Sequence, residues 1–238
     1  MSTIVLAHGA WSAAWAWKKM RPLMAASGHV FLTPTYTGLG VHADLASPAV
    51  DLDTHIDDIL RVLHYEDVRD VVLLGHSYGG MVATGVADRA AARIAHVIYL
   101  DAFVPRPGQS LSDLVPDEQR EKTRLAVANG DGWRVPPTPS PADTPPEDLM
   151  WITGRRVPQP LKCFEQPLAF EHGDLRLPRS YIRAMRNTAG PFGPFADRAR
   201  SEPGWRYYEI DASHSPNITA PEALMALLNV VVAEARGR

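Results

Sequence analysis

Asp70-Val-Val-Leu-Leu-Gly-His-Ser-Tyr-Gly-Gly80 decides how the chain is read. A β-branched, charge-free run delivers Gly75-His76-Ser77-Tyr78-Gly79, and the small-residue segment Met81-Val-Ala-Thr-Gly-Val-Ala87 follows at once. The pattern Gly-x-Ser-x-Gly between a strand and a helix has a steric origin. A serine on a sharp strand-to-helix turn needs glycines two residues to either side, because side chains there would strike neighbouring backbone. The hydroxyl is then held outward, and Ser77 is the candidate nucleophile.

Outward from this turn, strand-like and helix-like runs alternate. Residues 3–7 read as a strand and 12–26 as a helix, 29–33 as a strand and 52–64 as a helix, 71–74 as a strand and 78–89 as a helix, and 94–100 as a strand. Alternation of this kind predicts an α/β fold with a doubly wound, mostly parallel sheet. The strands are nearly continuous in Val, Ile and Leu, as expected when helices cover both faces. After Asp101 the rhythm breaks, and residues 105–178 hold much of the chain's 21 prolines, including Pro136-Pro137-Thr138-Pro139-Ser140-Pro141. Such density forbids long helices and central strands. The stretch is too aromatic for a disordered linker. It reads as a mostly helical cap, with short helices near 114–128 and 146–153, inserted into a core formed by 1–104 and 179–238. The core resumes with a strand at 180–185, a helix near 195–201, a strand at 205–210 and an amphipathic closing helix at 221–236. Thr219 is the expected cap of that helix, with Pro221 and Glu222 in its first turn.

The chain has 238 residues, enough for one sizeable α/β domain. Its formal net charge is −3 and its 24 basic residues are dispersed, which argues against a nucleic-acid partner. The single Cys163 leaves no internal disulfide framework and no multi-cysteine metal site, and suits a reducing cytoplasm. The apolar start lacks a basic leader region, so no export is expected. The longest charge-free segment, 71–87, is broken by its glycines, unlike a membrane span.

A serine hydroxyl is a poor nucleophile near neutral pH and needs a base, in this chemistry almost always histidine. Of nine histidines, His214 alone lies in a loop, Asp211-Ala-Ser-His-Ser-Pro-Asn217, directly after the last strand and before the last helix. A doubly wound sheet brings such a loop to its carboxyl-end crevice, the edge that also carries Ser77. The negative oxygen of a tetrahedral intermediate needs two backbone N–H donors. Tyr78, after the nucleophile, is one candidate; Ala10, in His8-Gly9-Ala10-Trp11 after the first strand, is the other.

These motifs, together with Tyr99-Leu-Asp-Ala-Phe-Val-Pro105 and Gln166-Pro-Leu168, resemble the α/β-hydrolase superfamily. More narrowly, they resemble its branch of plant methyl-ester esterases and hydroxynitrile lyases with their bacterial esterase relatives. The resemblance spans nearly the whole chain and implies hydrolysis of a small-molecule carboxylic ester by a serine hydrolase through an acyl-enzyme, without cofactor or metal. In that superfamily the third triad member is usually an aspartate in the loop before the final strand-and-histidine unit. Here the loop reads Met185-Arg-Asn-Thr-Ala-Gly-Pro191, and Asn187 stands in the expected place. Three readings remain. Asp101, at the carboxyl end of strand 94–100, is the charged candidate; Asn187 is a neutral orienter; Asp197 or Asp211 is a further acid.

For the substrate, Trp11, Trp133, Met150, Trp151, Phe164 and Phe170 suggest an apolar, aromatic-tolerant pocket for small to medium esters. Arg155 and Arg156 are a candidate site for a substrate carboxylate or simply a solvated pair. Rival readings are a C–C lyase like the hydroxynitrile lyases and a catalytically weak binding protein on the same scaffold. The resembling lyases carry a lysine after the histidine, whereas Ser215 stands here. The sequence leaves room for a homodimer through the cap.

Overall fold

The computed structural model describes residues 1–173 and 175–236; residue 174 of the expected cap and residues 237 and 238 of the expected core lie outside them. The strands, in chain order, are β1 (Thr3–Ala7), β2 (Val30–Leu32), β3 (Val71–His76), β4 (Ile94–Leu100), β5 (Arg134–Val135), β6 (Gln159–Pro160), β7 (Arg179–Ala184) and β8 (Trp205–Ile210). The helices are α1 (Met20–Ala26), α2 (Leu52–Tyr65), α3 (Gly79–Arg89), α4 (Asp117–Ala128), α5 (Pro146–Thr153), α6 (Lys162–Glu165), α7 (Gly193–Ser201), α8 (Pro216–Thr219) and α9 (Pro221–Arg236). Six strands pair in parallel in the order β2-β1-β3-β4-β7-β8.

The period-two rule for strands divides the core into two halves. Ile4, Leu6, Val72, Leu74, Ile98, Leu100 and Ile182 pack on one side with Met20 and Met24 of α1 and Leu224 and Leu228 of α9. Val5, Ala7, Leu73, Val97, Tyr99 and Tyr181 face the other, against Ile56 and Ile59 of α2 and Met81 and Val82 of α3. All six residues of β3 are buried, which explains its unbroken apolar run. α2 starts where the sequence supplies a reciprocal cap: Asp51 Oδ1 accepts from Thr54 N–H at 2.9 Å, and the Thr54 hydroxyl accepts from Asp51 N–H at 3.4 Å. α3 is almost wholly buried, and a Cβ at Gly79 or Gly80 would be driven into the carbonyl oxygens of Ala7 and Phe103.

The structure departs from the sequence reading at several points. The single helix expected over 12–26 is a 3₁₀ turn at Ala14–Trp17 followed by α1, because Trp11 sits at φ +56° and Ala13 is extended. Thr219 does not cap α9: it closes α8 and spends its hydroxyl on the Ser215 carbonyl at 3.2 Å. Between β4 and β7, which pair directly, the chain makes α4, α5, α6 and an antiparallel β5–β6 ribbon. The ribbon and α6 were not legible among the prolines. No helix among the described residues is long and apolar enough to cross a membrane.

Candidate active site

The turn between β3 and α3 holds Ser77 at φ +57°, a left-handed conformation that L residues rarely adopt. The strain is held by backbone bonds: Ser77 N–H donates to the Leu100 carbonyl at 3.3 Å, and the Ser77 carbonyl accepts from Gly80 and Phe103 N–H at 3.1 and 3.2 Å. Among residues 71–80 only Ser77 escapes full burial. Its Oγ lies 2.9 Å from His214 Nε2.

His214 sits between β8 and α8, as the sequence placed it. Its ring stacks on Phe192, with centroids 4.8 Å apart. Its own carbonyl accepts from His76 Nε2–H at 2.7 Å, so the histidine before Ser77 steadies the loop of the other histidine. Burial, with the nearby His214 adding to it, lowers the His76 pKa to about 4, which keeps it neutral near pH 7. His214 Nδ1–H donates to Asp101 Oδ2 at 2.8 Å, leaving Nε2 as the acceptor that faces Ser77.

Asp101 follows β4 at φ +41° and is completely buried. A buried carboxylate is costly unless paired and hydrogen-bonded. Besides His214, it accepts from Arg183 Nη1 at 2.7 Å and Asn187 Nδ2 at 2.6 Å, with Ala184 N–H at 3.4 Å. Arg183 also donates from Nη2 to the Asn187 carbonyl at 2.7 Å, tying the two partners together. Asn187 Nδ2 comes within 3.2 Å of His214 Nδ1, but both atoms are donors that share the one carboxylate. Asn187 is thus a donor to Asp101, where the neutral-orienter reading made its amide oxygen the acceptor for the ring. Asp197 is exposed and pairs with Arg200 at 3.4 Å; Asp211 is exposed and pairs with Arg186 at 2.7 Å; neither bonds to His214.

The loop after β1 approaches the turn closely: a Cβ at Gly9 would lie 3.2 Å from both His76 Nδ1 and Ser77 Cβ. Among the described residues, neither Ala10 N–H nor Tyr78 N–H donates to another protein group, and both residues line the cavity at Ser77. His8 anchors this loop, with Nδ1–H on the Gly9 carbonyl at 2.9 Å and Nε2 accepting from Tyr36 N–H at 3.3 Å. Burial takes its pKa down to about 3. Trp11 clamps the other end, donating from its backbone to Gln159 Oε1 at 3.0 Å and from its indole to the Val135 carbonyl at 2.9 Å. Both acceptors belong to the β5–β6 ribbon. The Tyr78 side chain turns inward, its hydroxyl 2.9 Å from His55 Nδ1. Cys163 is buried, and burial pushes its thiol pKa up to about 12, which makes it inert.

A cleft of about 1080 Å³ opens on Ser77, walled by Trp11, Phe103, Leu111, Val115, Phe164 and Phe192, among others. Trp11 and Phe164 are stacked there at 5.8 Å. The other four expected pocket residues line no cavity at Ser77. Trp133 packs beneath the Arg134 guanidinium, and Met150 is 76 % exposed on the outer side of α5. Trp151 meets Trp15 edge-on with Lys18 Nζ over its ring, and Phe170 packs against the buried core. Phe103, Leu111, Val115 and Phe192 were missed because they sit singly in loops with no periodic signal. Arg183 was missed because a charged residue on a strand reads as surface. Arg155 is exposed; Arg156 lines a second, smaller cavity beside Ser77. Among the described residues there is no group of His, Cys, Asp and Glu that could hold a metal ion.

A family model described as the alpha/beta hydrolase family matches residues 4–227. The chain belongs to the alpha/beta hydrolase family. This hydrolase is 37% identical over 234 residues to the carbendazim hydrolyzing esterase of Nocardioides sp. (strain SG-4G), covering 94% of this chain and 97% of that protein. It is 31% identical over 131 residues to methylesterase 3 of Arabidopsis thaliana, covering 50% of this chain and 46% of that one. Among solved structures, an extracellular alpha/beta-hydrolase from a Paenibacillus species superposes with a TM-score of 0.85 at 25% identity, covering 96% of this chain and 98% of that one. That protein is described as sharing structural and functional homology with tobacco salicylic acid binding protein 2. The hydrolase therefore stands among the esterases of the family, on the methylesterase branch.

Proposed function

We propose that this esterase works through Ser77 as nucleophile, His214 as general base and acid, and Asp101 as the residue that orients and stabilises the imidazolium. The observation that carries the reading is the unbroken chain Ser77 Oγ to His214 Nε2 at 2.9 Å and His214 Nδ1 to Asp101 Oδ2 at 2.8 Å. As Ser77 Oγ attacks the ester carbonyl, its proton passes to Nε2, and the oxyanion takes the N–H groups of Ala10 and Tyr78. Collapse of the intermediate breaks the ester C–O bond, with Nε2–H giving its proton to the departing alkoxide. Water then attacks the acyl-enzyme by the same steps in reverse order. Arg183 and Asn187 keep Asp101 in place by donating to its carboxylate, with Asn187 Nδ2 lying 3.2 Å from His214 Nδ1. The stretch 105–178 serves as the cap over this site.

The aromatic walls of the large cleft support small to medium esters with an apolar or aromatic acyl part. The names of the relatives put methyl esters and carbendazim into the test panel. The deciding experiment labels the protein with a fluorophosphonate and locates the adduct by mass spectrometry, alongside p-nitrophenyl ester hydrolysis by wild type and Ser77→Ala. An adduct on Ser77 and a loss of roughly 10⁴-fold or more in kcat are expected. An unlabelled Ser77, or faster cleavage of mandelonitrile than of any ester, refutes the reading.

A further inference from the structure

Two N–H groups hold an oxyanion only if their separation is fixed, and here the pair comes from loops far apart in the chain, Ala10 after β1 and Tyr78 after β3. Behind that pair, two buried histidines reach the same two neighbouring residues, Tyr36 and Thr37. His8, on the Ala10 loop, gives its Nδ1–H to the Gly9 carbonyl at 2.9 Å, so its bare Nε2 accepts from Tyr36 N–H at 3.3 Å. His55 of α2 faces the Thr37 carbonyl with Nε2 at 3.0 Å. A carbonyl only accepts, so that nitrogen carries the hydrogen, and the bare Nδ1 accepts from the Tyr78 hydroxyl at 2.9 Å. Burial lowers the pKa of the two rings to about 3 and about 4, which keeps both neutral near pH 7. The Tyr36 ring lies between them, its centroid 3.8 Å from that of His8 and 4.6 Å from that of His55, and it meets Tyr78 edge-on at 6.2 Å. Asp58 fixes the junction, accepting from Thr37 N–H at 2.6 Å and from the Thr37 hydroxyl at 3.0 Å. His8, Tyr36, His55 and Tyr78 are all buried, and hydrogen bonds in so dry an interior are stronger than in water and stiffen what they join.

We propose that this chain, from Gly9 through His8, Tyr36, Thr37 and His55 to Tyr78, is a brace that sets the spacing of the two oxyanion donors, with His8, His55 and the Tyr78 hydroxyl as positioning groups. The proposal rests on attack by Ser77 as set out above. The Tyr78 side chain makes no capping bond at the start of α3, so its hydroxyl is free to anchor the residue to His55. On the other loop, the residue after Ala10, Trp11, stands at φ +56°, and His8 ties the near side of that turn to the same junction. The brace acts on negative charge that exists only once Ser77 has added to the ester, not on the ester as it first binds. Removing one oxyanion donor costs about 10²- to 10³-fold in kcat, and loosening one that remains in place costs a smaller factor, about 10-fold.

The test uses p-nitrophenyl phenylacetate and two ketones with the same acyl shape, benzyl trifluoromethyl ketone and benzyl methyl ketone. Ser77 Oγ adds to the fluorinated ketone: the Oγ–carbon bond forms, the carbonyl π pair becomes an oxyanion, and the Ser77 proton goes to His214 Nε2. The methyl ketone does not add and reports ground-state binding. Tyr78→Phe keeps the ring and the backbone N–H. It is expected to lower kcat about 10-fold with KM little changed, and to raise the Ki of the fluorinated ketone by the same factor while that of the methyl ketone holds. His55→Leu should match it, and His55→Asn, whose Oδ1 can accept near the Nδ1 position, should recover part of the loss. The double variant Tyr78→Phe/His55→Leu should be no slower than either single variant, because the two groups act through one bond. Tyr78→Phe carries the test alone if the His55 variants do not fold. Wild-type kcat in folded Tyr78→Phe, equal rises in both ketone constants, or additive losses in the double variant overturn the brace alone, provided the fluorophosphonate still labels Ser77 in the wild type. Loss of that label, with no inhibition of the wild type by the fluorinated ketone, overturns the nucleophile reading with it.

Discussion

Asp101 is wholly buried and takes hydrogen bonds from His214, Arg183 and Asn187, while Met150, on the stretch that supplies part of the cleft wall, is 76 % exposed. The two regions are built by opposite rules. The acid corner hangs on consecutive turns of the sheet, with Ser77 and Asp101 both at positive φ, and His214, Arg183 and Asn187 all donate to the one carboxylate. The stretch between β4 and β7 is proline-rich, made of short elements, and meets the Ser77 side through Trp11 and through Phe164 against Tyr78. Under the proposed function, the contrast separates the chemistry, which needs fixed geometry, from substrate choice, which needs adjustable walls.

The sharpest way to break the contrast is Asp101→Asn. The amide keeps the shape and removes the charge, and kcat is expected to fall by roughly 10³- to 10⁴-fold, on the scale of the same change in serine proteases. Stopped-flow hydrolysis of a p-nitrophenyl ester measures it, and a loss below 10-fold would place the orienting charge elsewhere. Next comes Arg183→Met, which leaves Asp101 buried without its counter-charge. Breaking such a pair costs about 3–5 kcal/mol, read as a lowered midpoint in urea, and Arg183→Lys should restore part of it. An unchanged midpoint would show that the corner is not held by charge.

Acid sharpens the comparison from the side of the core. Burial lowers the pKa of His8 to about 3 and of His55 and His76 to about 4, all below the unfolded value. Their contribution is therefore complete above about pH 6.5 and is lost as pH falls towards 4, because the unfolded chain takes up the protons first. The slope is at most about 1.4 kcal/mol per pH unit for each histidine. Thermal melts between pH 7 and pH 4 should show a steady fall in Tm, and a flat profile would contradict it. The smallest effects belong to the inserted stretch. Phe164→Ala should raise KM for aromatic esters by about 10-fold with little change in kcat, whereas Met150→Ala should leave both unchanged. Equal effects from the two would mean that the cleft is not the acyl site.

The legible parts of the site were those set by local sterics. Ser77 was readable because its glycines have no other reason for that spacing beside a charge-free strand, and His214 because the last strand-to-helix loop had one histidine. The acid was only half readable: Asp101 stood as the charged candidate beside Asn187, but the two stand 86 residues apart in the chain and meet only through sheet register. The pairing of Leu100 with Ile182 sets Asp101 beside Arg183, and no pattern within either strand announces that register. The pocket was half readable for a related reason. Aromatic content marked the inserted stretch as folded, but which face each ring presents depends on turns that prolines conceal.

The chain's own order thus determined the sheet, its alternation with helices, the strained serine turn and the loop that carries the histidine facing it, since each follows from periodicity or from clashes within a few residues. Tertiary structure decided that Asp101 meets His214, that Asn187 donates to that carboxylate, and that Trp11 and Phe164 rather than Trp133 or Met150 wall the cleft. Those outcomes depend on strand register and on the packing of distant loops, where the interacting atoms come from parts of the chain that carry no mark of each other.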